Sequence, residues 1–289
     1  VRVLEPSPPA VAEPPFFADD PVAGGEVVPV ERPGSRSWAD LCRDEDDTAF
    51  LEWCRDRWLV RKPLMALPEG FAASRASLHA LAEHVLAPSR HAATGKIGLR
   101  FTHHGFGTPF FAHSRAGVEA RQVRVHDDAL VDGEKRHPLT TLADASALLG
   151  IPVGARTGVY EPTTAGDPDA PLAVDRSAAR ALADWFGFCA SVLEQVRADA
   201  TGSDAPGRVQ LWPEHFDISV DLGPAGSRAN FGGSPGDGQH PEPYLYVAPF
   251  DGRKGAFWNE PFGASVSYSQ LRGGADALEF MRRGQKLLR

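Results

Sequence analysis

His215 and Asp217 stand two residues apart in the string LWPEHFD, and His240 follows after a stretch rich in glycine and proline. Two imidazoles and one carboxylate are the set that binds ferrous iron on one face and leaves positions open for a co-substrate, and the same groups suit zinc. On an extended chain, side chains two residues apart project from one side about 7 Å apart. A divalent metal held by His215, Asp217 and His240 is therefore one expectation, provided His240 folds back over the other two. A solvated polar strand face is the other reading of the same residues.

Read as one strand, residues 211 to 222 put Trp212, Phe216, Ile218 and Val220 on one side and His215, Asp217, Ser219 and Asp221 on the other. Glu214 then lands on the apolar side, where a buried charge costs several kcal/mol unless paired. Either an arginine such as Arg100 approaches it or its proton is held, or else Pro213 bends the strand and leaves Glu214 in solvent. Elsewhere, His103 and His104 follow a strand-like run and precede GFG, which is too short for a dinucleotide fingerprint. Asn230 to Tyr246 reads as a loop shaped by four glycines and three prolines. Within it Pro235-Gly236 is a type II turn signal, and Asp237 makes either a local turn bond or a ligand contact.

The leading expectation is a small-molecule-binding domain in which segments 103 to 111 and 230 to 246 meet beside His215 and Asp217. Arg100, His103, His104 and Glu214 would line the pocket with that pair, and Asp237, His240 and Tyr244 would close it. A mononuclear metal enzyme and a protein-interaction module, the latter using the Pro-rich N-terminal stretch and the region of Trp258, are the alternatives. Ser219 and Ser234 do not stand in GxSxG, which argues against a hydrolase triad.

Periodicity supplies the scaffold. Residues 1 to 37, rich in proline, glycine and acids, read as an extended arm. Helical spacing is expected at 38 to 58, with Cys42 and Cys54, and at 74 to 86, closed by Pro88, with His79 and His84 on its surface. Strands are expected at 97 to 102, 108 to 113, 122 to 131, 209 to 222, 243 to 250 and 262 to 268. Helices are expected at 141 to 149, 175 to 198 and 275 to 288. The sum is an α+β fold with a largely antiparallel sheet packed by helices, one domain over 38 to 289. Helix followed by strands occurs twice, over 74 to 170 and 175 to 289, which suggests an internal duplication.

The 289 residues are 42% hydrophobic, ample for a sizeable core. A net charge of −8 repels a phosphate backbone, so nucleic acid is not an expected partner. No apolar run is long enough for a bilayer and no signal peptide is evident, so a soluble, cytoplasmic protein without membrane partners is expected. The three cysteines form no CxxC pair, and Cys189, among Trp185, Phe188 and Val192, reads as a buried small hydrophobe. Arginine makes up 25 of the 30 basic residues, which fits codon usage in a GC-rich bacterium.

GKIGLRFTHHGFGTPFF at 95 to 111, LWPEHFD at 211 to 217, SPGD at 234 to 237, HPEPYLYV at 240 to 247 and FWN at 257 to 259 resemble a group of hypothetical, actinobacterial-like proteins. More loosely, the chain is similar to a wider bacterial domain family of unknown function. The resemblance spans about residues 38 to 288 and implies no activity. In the wider family the position matching His215 can carry a small residue, so it implies no shared role for that histidine.

Overall fold

A computed structural model describes residues 56–61, 64–109, 111–112, 120–133 and 135–289. The expected arm, the helix over 38 to 58 with Cys42 and most of its length, and Cys54 lie outside them. What is described is α+β: two five-stranded antiparallel sheets packed by helices. The first sheet has the order β1 (Arg100–Thr102), β2 (Gly105–Gly107), β5 (Val123–His126), β6 (Ala129–Asp132), β7 (Lys135–Pro138). A short hairpin of β3 (Phe111–Ala112) and β4 (Ala120–Arg121) is inserted after β2. The second sheet runs β8 (Gln210–Trp212), β9 (Asp217–Leu222), β10 (Ala229–Ser234), β11 (Tyr244–Pro249), β12 (Ala264–Ser267) in chain order. Leu99 and Leu211 exchange backbone hydrogen bonds of 2.7 and 2.8 Å, which ties the first strand of one sheet to the first strand of the other.

Helices α1 (Phe71–Leu81) and α2 (Ala87–Thr94) precede the first sheet and α3 (Leu142–Leu149) follows it, while α4 (Arg176–Ala198) and α5 (Gly274–Leu288) flank the second. Helix followed by strands thus recurs in the element order. α4 starts on Asp175, whose carboxylate accepts the Ala178 amide at 3.0 Å, and Thr141 caps α3 in the same way. Leu182, Trp185, Phe186, Cys189, Val192, Leu193 and Val196 of α4 are buried in one core that also takes residues from both sheets. Burying side chains of this size is worth about 1.5–3 kcal/mol each. Trp185 keeps its indole N–H satisfied by donating to the Ser234 carbonyl at 2.8 Å. Cys189 is buried as expected, and burial pushes its thiol well up. Among the described residues no helix is long and apolar enough to cross a membrane.

Several expected elements differ, each for a local reason. Residues 122 to 131 are a hairpin, β5 and β6, because Asp127 adopts a left-handed φ of 57°. Residues 209 to 222 are also a hairpin: Leu211 pairs with Ile218 and Trp212 with Asp217 across a turn at 213 to 216, where Phe216 has φ 51°. Pro88 does not close the helix over 74 to 86. A π-helical turn at Ala82–Leu86 shifts the bonding register, so Pro88 falls at the start of α2, where a missing N–H is harmless. GFG is a strand, since a Cβ at Gly105 or Gly107 would collide with the β5 backbone. NFGGS is a strand as well. His79 and His84 are not surface residues. His79 stacks on Phe216 with ring centroids 5.0 Å apart, and His84 is buried, its Nε2 3.0 Å from the Thr164 carbonyl oxygen.

Candidate functional site

The hairpin β8–β9 decides which groups gather. Ile218, Val220 and Leu222 point into the core, so Asp217, Ser219 and Asp221 line the other face of the sheet. Register sets Gln210 opposite Ser219 and Trp212 opposite Asp217, which places Trp212 on the polar face with Asp217 instead of with Phe216. On the neighbouring strand Gly232 lies opposite Ser219 and is itself opposite Tyr246 of β11. Among the described residues no helix lines this part of the sheet. The result is a cleft of about 380 Å³ running from Arg208 and Asp221 at one end to Glu214 and His215 at the other, with Phe250 at its rim.

Gly232 allows the floor of the cleft to form. A Cβ there would strike the Tyr246 ring, so only glycine lets the ring lie across the sheet and its hydroxyl donate to Asp217 Oδ2. Asp217 is 6% exposed, and its second oxygen, Oδ1, has no hydrogen-bond partner. Burial raises its pKa to about 6, the Tyr246 hydrogen bond and His215 oppose that rise, and the charge of Glu214 adds to it. Burial, together with the Asp217 charge, keeps the Tyr246 phenol protonated well above its usual range. Glu214 sits half-buried in the turn, neither paired with Arg100 nor fully in solvent, and its Oε2 is also without a partner. At the opposite end Arg228 bonds Asp221 and the carbonyls of Asp204, Ala205 and Gly223, so those two charges are committed to each other and to the backbone.

The expected pocket between segments 103 to 111 and 230 to 246 is not the one formed. β1 runs toward the turn at His103–His104, and β8 pairs with it antiparallel through Leu99 and Leu211. The end of β8 that enters the 213 to 216 turn therefore points the other way, and β9 and β10 return the 235 to 243 connection to that same end. His103 and His104 lie at the opposite ends of the strands, beside Asp127. Burial, then the neighbouring His104, lowers the pKa of His103 to about 3. Arg100 is buried in β1, away from the cleft lining.

His240, Asp237 and Tyr244 form a separate cluster just beyond the cleft. Asp237 accepts the amides of Gln239 and His240 at 2.7 and 2.8 Å and the Tyr244 hydroxyl at 3.0 Å, a local turn bond. His240 Nε2 lies 3.3 Å from Glu260 Oε1. The His215, Asp217 and His240 set is thus not assembled, because His215 sits exposed in the turn and His240 faces Glu260. Among the described residues no three His, Cys, Asp or Glu side chains gather in a way that could hold a metal ion.

Of the expected site residues, Glu214, His215 and Asp217 meet in the cleft. Trp212, Asn230 and Tyr246 line the cleft as well, outside the set expected from the sequence. Gly232 alternating with Tyr246 on facing strands was the available signal, and it is visible only once NFGGS is recognised as a strand. The chain matches no protein-family model, no curated protein and no solved structure.

Proposed function

We propose that the protein is a small-molecule-binding α+β domain whose site is the cleft over β8 to β11. The observation that carries this reading is Asp217: a buried carboxylate that lines the cleft and has one oxygen without a donor. Leaving a buried acceptor unsatisfied costs about 1–3 kcal/mol, and a ligand N–H or O–H that reaches it through a small movement of the side chain removes that cost. Trp212 and Tyr246 offer apolar contact beside this polar centre and Phe250 does so at the far end of the cleft, the usual division of labour in a ligand pocket.

Asn230 lines the cleft and is only half-buried, so Asn230→Trp fills it without touching Asp217. A thermal-shift panel of small amines, polyols, carboxylates and nucleosides is run on the full chain and on this variant. The expected result is one or more compounds that raise the melting temperature of the wild type and leave Asn230→Trp unmoved. Stabilisation that is equal in both proteins, or absent throughout the panel, refutes the reading.

A further inference from the structure

We infer that the cleft takes an organic cation, a primary amine on a short apolar stem, with its ammonium held between Asp217 and Glu214 and its stem against Trp212 and Tyr246. This rests on the cleft being the binding site and narrows what it binds.

Asp217 and Glu214 line one end of the cleft, and one oxygen of each, Oδ1 and Oε2, is buried without a donor. A neutral hydroxyl would satisfy one of them and leave two like charges facing each other in a partly dry site. An ammonium carries three donors and the opposite charge, so it answers both the missing hydrogen bonds and the repulsion. Trp212 and Tyr246 border the same end, and the faces of such rings attract cations within about 6 Å. An anion meets two carboxylates there, and the nearby Arg228 guanidinium is already occupied by Asp221 and three backbone carbonyls. Arg208, at the far end with Asp221, marks where the cation-accepting part of the cleft stops.

The groups facing Asp217 are Glu214 and His215 of its own turn, Tyr246 and Tyr244 of β11, and Cys189 of α4 behind the sheet. Burial raises the Asp217 pKa to about 6. A proton on Asp217 competes with the ammonium, so affinity falls roughly tenfold between pH 7.5 and pH 5 by single-site proton competition.

Calorimetry with n-hexylammonium, 1-hexanol and hexanoate on the full chain tests the inference. Hexylammonium is expected to bind at least tenfold more tightly than hexanol, with no binding of hexanoate. Asp217→Asn, its fold checked by circular dichroism, is expected to reduce the preference for amine over alcohol to under threefold and to flatten the pH dependence. His215→Gln is expected to keep that dependence and move it to higher pH, since His215 opposes the rise at Asp217, and Asn230→Trp to abolish binding of both compounds. Equal affinity for amine and alcohol, both lost in Asn230→Trp, overturns the cation and leaves the cleft standing. Binding that Asn230→Trp does not touch, or no binding of any of the three, overturns the cleft together with the cation.

Discussion

Asp127 and Asp217 are both buried carboxylates, 1% and 6% exposed, each placed by a hairpin of one of the two sheets, yet their surroundings are opposite. Burial alone would push Asp127 up, but hydrogen bonds from Arg180 and Arg176, at 3.1 to 3.2 Å, outweigh it and hold the carboxyl below its usual range. Asp217 has a single tyrosine hydroxyl and is pushed up. The other buried carboxylates resemble Asp127. Glu83 accepts the amides and hydroxyls of Thr163 and Thr164, which pins the 160 to 166 segment over the π turn, and Asp204 accepts from Thr201 and Arg289. Among the described residues this chain supplies full donor sets to three buried carboxylates, and leaves one short where the sheet opens to a cleft. A carboxylate so placed costs stability in the free protein, and such costs persist at sites where something else is gained.

The largest effect that sharpens this contrast comes from Asp127→Ala. It leaves two guanidinium groups facing each other beside a buried void, and because the arginines are themselves half-exposed the loss is roughly 3 kcal/mol, at the low end for a broken buried pair. Urea denaturation at pH 7 measures it. With its folded pKa lowered, Asp127 contributes stability above the unfolded carboxylate pKa that fades as pH falls below it.

Asp217 has the opposite sign. Its folded pKa is raised from 3.8 to about 6, so its protonated form contributes stability below about pH 4, and that contribution is lost as pH rises through about 6. Asp217→Asn keeps an acceptor for Tyr246 and removes the buried charge. It is therefore expected to be more stable than wild type by about 3 kcal/mol at pH 8, at about 1.4 kcal/mol per pKa unit, with the advantage gone at pH 4. A variant less stable than wild type at pH 8 breaks the comparison and makes Asp217 an ordinary structural residue.

Much of the scaffold was legible from periodicity. The stripe of α4 and its Asp175 cap, α3 between Thr141 and Gly150, and α5 all stand close to where spacing puts them. The turns were not legible, and the site depended on them. Asp127 and Phe216 take left-handed backbone without being glycine, so two hairpins read as two continuous strands. In β2 and β10 glycine signals close approach of backbone or ring, which looks like a loop in the sequence. Asp217 therefore stands out in the sequence beside Glu214 and His215, but with His240 as a partner it does not have. Its true neighbour, Tyr246, lies 29 positions away and becomes adjacent only through the register of β9, β10 and β11.

Gly232 tests that register. Glycine to alanine in a strand ordinarily gains about 0.4–1 kcal/mol by restricting the unfolded chain. Here the added methyl meets the Tyr246 ring, and the expected outcome is a net loss of about 1.5 kcal/mol from overpacking. Placing Tyr246→Ala in the Gly232→Ala background should recover much of that loss. Additive losses in the double variant would mean that the ring does not lie over position 232.

Tyr246→Phe is the smallest change and the finest probe of Asp217. It keeps the ring over Gly232 and removes only the hydroxyl, so packing is held while the carboxylate loses its one side-chain donor. That bond favours the ionised form, and its loss should move the Asp217 pKa further above about 6, read by the carboxyl carbon shift in an NMR titration. Stability should fall by about 0.5–1 kcal/mol at pH 8, the usual size of one hydrogen bond, and hardly at all at pH 4, where Asp217 is protonated in both proteins. A pKa that stays put or drops would mean that another group donates to Asp217, and the contrast with the fully paired Asp127 would close.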